Sequence, residues 1–100
     1  MTAVTIYTSI SCVFCLRAKE YLRSRDVPYE EVDVTGDAKA RARLVKRSNG
    51  QRTVPQIFVG DLHVGGYTDL VRLDAEGKFR PLLSRVPGRR SGGSGVRGGA

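Results

Sequence analysis

The spacing of apolar residues changes several times along the chain, and each change marks an element. Val4-Thr5-Ile6-Tyr7 alternates and is partly β-branched, which predicts a first strand. From Cys12 the pattern turns helical: Cys15, Ala18 and Leu22 share one face, while Arg17, Lys19, Glu20, Arg23 and Ser24 lie mostly outside it. That helix is expected to run to about Arg25, because Pro28 cannot continue it. Tyr29 to Val34 reads as a second strand. Asp37 then caps a second helix, with Ala40 and Leu44 inward and Ser48-Asn49-Gly50 as its stop. Gln56–Val59 and Leu62–Val64 flank Gly60-Asp61, a hairpin signal. Gly65-Gly66 leads into a third helix from about Thr68 to Asp74, broken by Gly77. Pro81-Leu82-Leu83 is expected to start a last short helix.

A strand–helix–strand crossover implies a parallel pair, and a tight hairpin an antiparallel one. The expected fold class is α/β: a small mixed four-stranded sheet (β-α-β-α-β-β-α) flanked by helices, of the thioredoxin-like kind. The expected domain covers residues 1–86. Residues 87–100 are Gly, Ser and Arg with almost nothing to bury, and read as a disordered tail.

Charge sharpens this division. The net charge is +7, yet residues 1–76 hold 11 Lys/Arg against 10 Asp/Glu. The excess lies in Lys78, Arg80, Arg85, Arg89, Arg90 and Arg97. The basic balance therefore describes the C-terminal segment and not a domain face built for nucleic acid. The tail is read as solvated, with weak contact to nucleic acid or acidic partners as the lesser alternative. No apolar run is long enough to span a bilayer, so no membrane partner is expected. The first residues show no basic leader or cleavage site, and the expected location is the cytoplasm.

Two cysteines occur, both in Cys12-Val13-Phe14-Cys15. A secreted mini-protein spreads cysteines as staples, whereas one close pair points to redox chemistry or a shared metal. Zinc wants a fuller ligand set than these two residues and His63, which reads as a surface or half-buried strand residue. Burial as ordinary core cysteines is the remaining bland alternative. Disulfide exchange needs a thiolate. Cys12 falls at a strand-to-helix junction, where free N–H groups and the helix dipole favour an anion. Cys15 falls on the core face, near enough to pair with Cys12 but less accessible. Cys12 is thus expected to attack and Cys15 to resolve.

The sequence resembles the glutaredoxin family, in particular its bacterial dithiol members of the glutaredoxin 3 type. The resemblance rests on Ile6-Tyr7-Thr8, Cys12-x-x-Cys15, Arg17-Ala18-Lys19, Lys46-Arg47-Ser48, Thr53-Val54-Pro55-Gln56-Ile57-Phe58-Val59, Gly65-Gly66-x-x-Asp69-Leu70 and Leu73-Asp74-x-x-Gly77. It implies a monomeric glutathione–disulfide oxidoreductase, acting on glutathionylated or disulfide-containing proteins with glutathione as reductant. Pro55 would be a cis-proline facing the active site. Thr53 and Val54 would pair with glutathione like an added strand, and Gly66 would admit it closely. Thr68 and Asp69 would take its γ-glutamyl end. Phe14 would line the site, and Arg41, with Arg43 as fallback, would meet the glycyl carboxylate.

Two departures stand out: Val13-Phe14 replaces the usual Pro-Tyr, and Ser9 stands where the family often carries Lys or Arg. Val13 also keeps open a redoxin reduced by thioredoxin reductase and feeding ribonucleotide reductase. The resemblance further admits a [2Fe–2S] cluster shared between protomers through Cys12 and glutathione. Apart from that case, no metal ligand is expected.

Overall fold

The computed structural model describes residues 3–84; the tail at 87–100 and the domain boundary at 86 lie outside the described residues. The element order is β1 (Val4–Thr8), α1 (Val13–Ser24), β2 (Glu30–Asp33), α2 (Ala38–Arg47), β3 (Gln56–Val59), β4 (Leu62–Gly65), α3 (Tyr67–Ala75) and α4 (Phe79–Leu83). The strands lie in the order β2-β1-β3-β4. β1 is parallel to β2, and β3 is antiparallel to both β1 and β4. The thioredoxin-like α/β class and its mixed four-stranded sheet are therefore as expected.

Alternation on the two central strands divides the core. Ile6 and Ile57 point to one face, where Ala18 and Leu22 of α1, Leu70 of α3 and Phe79 of α4 cover them. Tyr7 and Phe58 point to the other, against Ala40 and Leu44 of α2. β3 is buried along its whole length, so both its faces are packed. Each fully buried Leu or Ile contributes roughly 1.5–3 kcal/mol.

Local chemistry sets most boundaries. Asp37 accepts the Ala40 N–H at 3.0 Å as the cap of α2. Asn49 and Gly50 leave that helix with positive φ, as the Ser48-Asn49-Gly50 stop requires. Two edges shift from expectation. α3 begins one residue early, at Tyr67. The last helix begins at Phe79, whose side chain is buried, and Pro81 sits in its first turn, where no N–H is needed. No helix among the described residues is long and apolar enough to cross a membrane.

Asp74 of α3 ties that helix to α1, and Arg25 at the end of α1 carries the link on to α4. The Asp74 carboxylate accepts from the Tyr21 hydroxyl and, at 3.0 Å, from Arg25 Nε. Arg80 of α4 donates to the Arg25 carbonyl. The Tyr21 hydrogen bond, then Arg25, hold the Asp74 carboxyl below its ordinary value of 3.8, against the opposing effect of burial. A depressed folded pKa stabilises the fold fully above the unfolded value. That contribution fades as pH falls from 3.8 through the lower folded value. Asp74→Ala is expected to destabilise the protein by about 1–3 kcal/mol at neutral pH. In chemical denaturation across pH, this deficit should shrink below 3.8. A deficit constant at every pH would show that the carboxylate charge is not what matters.

Candidate active site at the start of helix α1

α1 begins immediately after Cys12, whose extended backbone makes it the N-cap. Cys12 Sγ accepts the Cys15 N–H at 3.0 Å. The first turn of α1 contains no acidic side chain, so this sulfur is the group facing the positive end of the helix dipole. The two cysteines are disulfide-paired, with Cα atoms 5.1 Å apart. Cys12 is half-buried, whereas Cys15 is 2% exposed on the core face of α1. The expected asymmetry of access is present.

Across from Cys12 lies the segment entering β3. The Val54–Pro55 peptide bond is cis, as expected. The Val54 carbonyl oxygen is 3.5 Å from Cys12 Sγ. Among the described residues, the Val54 N–H meets no protein acceptor. A groove of about 560 Å³ opens beside this segment. Phe14, Thr53, Val54, Pro55, Gly66, Thr68 and Asp69, the residues named from the resemblance, all line it. Arg41 does not: it and Arg43 are exposed on α2 and contribute no wall.

Several wall residues escaped the sequence reading. Gln51, just after the α2 stop, lines the groove, as do Tyr67, Gln56 and His63. The Tyr67 ring lies 6.1 Å from that of Phe14, which also carries the Arg17 guanidinium at 5.4 Å. An aromatic directly after Gly65-Gly66 was the available signal for Tyr67. Ile10, Val13, Phe14 and Leu16 leave an exposed apolar surface around the cysteine motif.

The start of α3 shows which glycine is constrained. Gly65 has φ +117, and a Cβ there would collide with the Asp69 carboxylate. Gly66 has ordinary φ; its added Cβ would face the Pro55 carbonyl at 3.5 Å. Asp69 accepts the Gly66 N–H at 2.9 Å and Arg72 at 2.8 Å. Thus Gly65 permits the backbone turn and the close approach of Asp69, while at Gly66 an added methyl would make only ordinary contact with the Pro55 carbonyl. Among the described residues, no group of three or more His, Cys, Asp or Glu side chains converges as a metal site would require.

The family model for glutaredoxins matches residues 4–64, more than half of the chain. The chain belongs to the glutaredoxin family. Glutaredoxin 3 of Escherichia coli is 47% identical over 83 residues, covering 83% of this chain and 99% of that protein. A probable glutaredoxin of Synechocystis is 44% identical over 80 residues, covering 80% and 91%. Among solved structures, a Brucella melitensis glutaredoxin superposes with TM-score 0.72 at 42% identity, over 83% of this chain and 89% of that one. A buckwheat glutaredoxin in complex with glutathione gives TM-score 0.72 at 26% identity, over 82% and 76%. As a glutaredoxin, this chain is a thiol–disulfide oxidoreductase.

Gly65→Ala is expected to displace Asp69 and cost about 1–3 kcal/mol, visible as a lower thermal midpoint. An unchanged midpoint would mean the α3 entry has room that the backbone does not show.

Proposed function

We propose that this glutaredoxin reduces glutathione mixed disulfides and protein disulfides, with Cys12 as nucleophile, Cys15 as resolving thiol and glutathione as reductant. The supporting observation is the juxtaposition of Cys12 Sγ with Val54, whose carbonyl lies 3.5 Å away and whose N–H is free among the described residues. A thiol peptide lying extended beside Val54 would satisfy that N–H as an added strand does. Its sulfur would then lie next to Cys12. The buckwheat complex supports glutathione as that peptide.

On reduction, the Cys12 thiolate keeps the Cys15 N–H and the helix dipole as its stabilisers. It attacks the glutathione sulfur of a mixed disulfide; the substrate leaves as thiolate and Cys12 carries glutathione. A second glutathione thiolate attacks that sulfur, releasing glutathione disulfide and the Cys12 thiolate. With a protein disulfide, Cys12 forms the mixed disulfide and Cys15 displaces the substrate, closing Cys12–Cys15. The γ-glutamyl carboxylate is taken by N–H groups opening α3, and its amine by Asp69. Phe14 and Tyr67 supply the apolar wall, and Thr53 and Gln51 flank the glycyl end. Arg41 is assigned no contact, because it does not line the groove.

Turnover of a glutathione mixed disulfide with reduced glutathione alone tests this reading. Turnover is expected there, to be abolished by Cys12→Ser and retained by Cys15→Ser. Reduction that works only with thioredoxin reductase and NADPH would overturn the glutathione assignment. Activity surviving Cys12→Ser would overturn the roles of the cysteines.

A further inference from the structure

His63 is the chain's single histidine, and the mechanism above gives it no part. A sheet irregularity decides where it points. Ile57 pairs with Gly65 while the next residue, Phe58, pairs with His63, so Val64 is the extra residue of a bulge in β4. Directly opposed residues share a face. The imidazole accordingly stacks on Phe58, with centroids 4.9 Å apart and planes at 29°. Arg47 also packs on Phe58, its guanidinium 4.2 Å from the ring centroid. Gln56, two residues before Phe58, lies on the same face and is 5% exposed.

A directional chain of hydrogen bonds starts from this histidine. His63 Nε2 is 2.6 Å from Gln56 Oε1, and Gln56 Nε2 donates to Thr53 Oγ1 at 3.2 Å. An amide oxygen only accepts, so Nε2 of His63 must carry the proton. Thr53 Oγ1, receiving the Gln56 N–H, keeps its own proton for an outside acceptor. Thr53 is exposed and lines the groove.

We infer that His63 and Gln56 are positioning residues that fix the Thr53 hydroxyl as a hydrogen-bond donor into the groove, selecting a ligand that presents an anionic or carbonyl oxygen there. This rests on the proposed glutathione site, and identifies the oxygen as one at the glycyl end of the peptide. Neither residue touches the reacting sulfurs. Their influence therefore falls on ligand affinity and not on the exchange step.

Two readouts test it. The first needs no ligand: long-range nitrogen–proton NMR of the imidazole at mildly alkaline pH, where a free imidazole is neutral. The proton is expected on Nε2, and a proton on Nδ1 instead would overturn the chain. The second is kinetic, with a glutathione mixed disulfide as probe. H63F keeps the ring stack but loses the donor; H63Q supplies an amide N–H without the ring. H63F and Gln56→Met are expected to raise KM about 3- to 10-fold with kcat unchanged, the worth of one ordinary hydrogen bond. H63Q should remain within about twofold of the parent, as restoring the donor requires. In a Thr53→Val background H63F should add nothing further. The reverse order, with H63Q impaired and H63F normal, would make the ring stack the function and overturn the inference. A parent protein inactive with glutathione would instead sink the proposed substrate, while the NMR tautomer still decides the relay.

Discussion

A helix that opens without a carboxylate leaves its N–H groups to whatever stands at the cap, and in this protein that group is a sulfur. Cys12 occupies the N-cap of α1 and accepts the Cys15 N–H. The favoured anion at that point is therefore a thiolate. Everything else in the site is arranged around it. Cys15 is three residues on, turned into the core by the same helix. Val54 and Pro55 face Cys12 because β3, packed on both faces, holds the segment before it against the end of β1.

The second requirement is a fixed relation between α1, which carries the cysteines, and the start of α3, which carries Gly66, Thr68 and Asp69. The Tyr21–Asp74–Arg25 cluster and the edge contact between the Tyr21 and Tyr67 rings link these helices directly. Tyr67 in turn neighbours Phe14. The aromatic wall of the groove is thus continuous with the packing that joins the helices.

What was legible beforehand was local. Alternation in Val4–Tyr7, the Cys15/Ala18/Leu22 stripe, the Asp37 cap and the Gly60-Asp61 turn each state a backbone preference within a few residues, and each element formed where expected. Seven of the residues named from the resemblance lie together along the groove. The missed features depend on tertiary register. The β4 bulge, which turns His63 toward Gln56, leaves no local signature. Gly65 and Gly66 are indistinguishable until Asp69 folds back over the first of them. Phe79 starts the last helix because it fills the core beneath α1 and α3, and no nearby spacing announces that. Arg41 has the charge expected of a carboxylate partner, but it stands exposed on α2 and is not among the residues that line the groove.

The claim on which the chemistry depends is that Cys12, and not Cys15, is the reactive thiolate. Limited alkylation of the freshly reduced protein at neutral pH, followed by peptide mapping, measures this directly. Label confined to Cys12 is the expected result. Label on Cys15, or shared equally between the two, would contradict the assignment of the attacking sulfur to the helix cap.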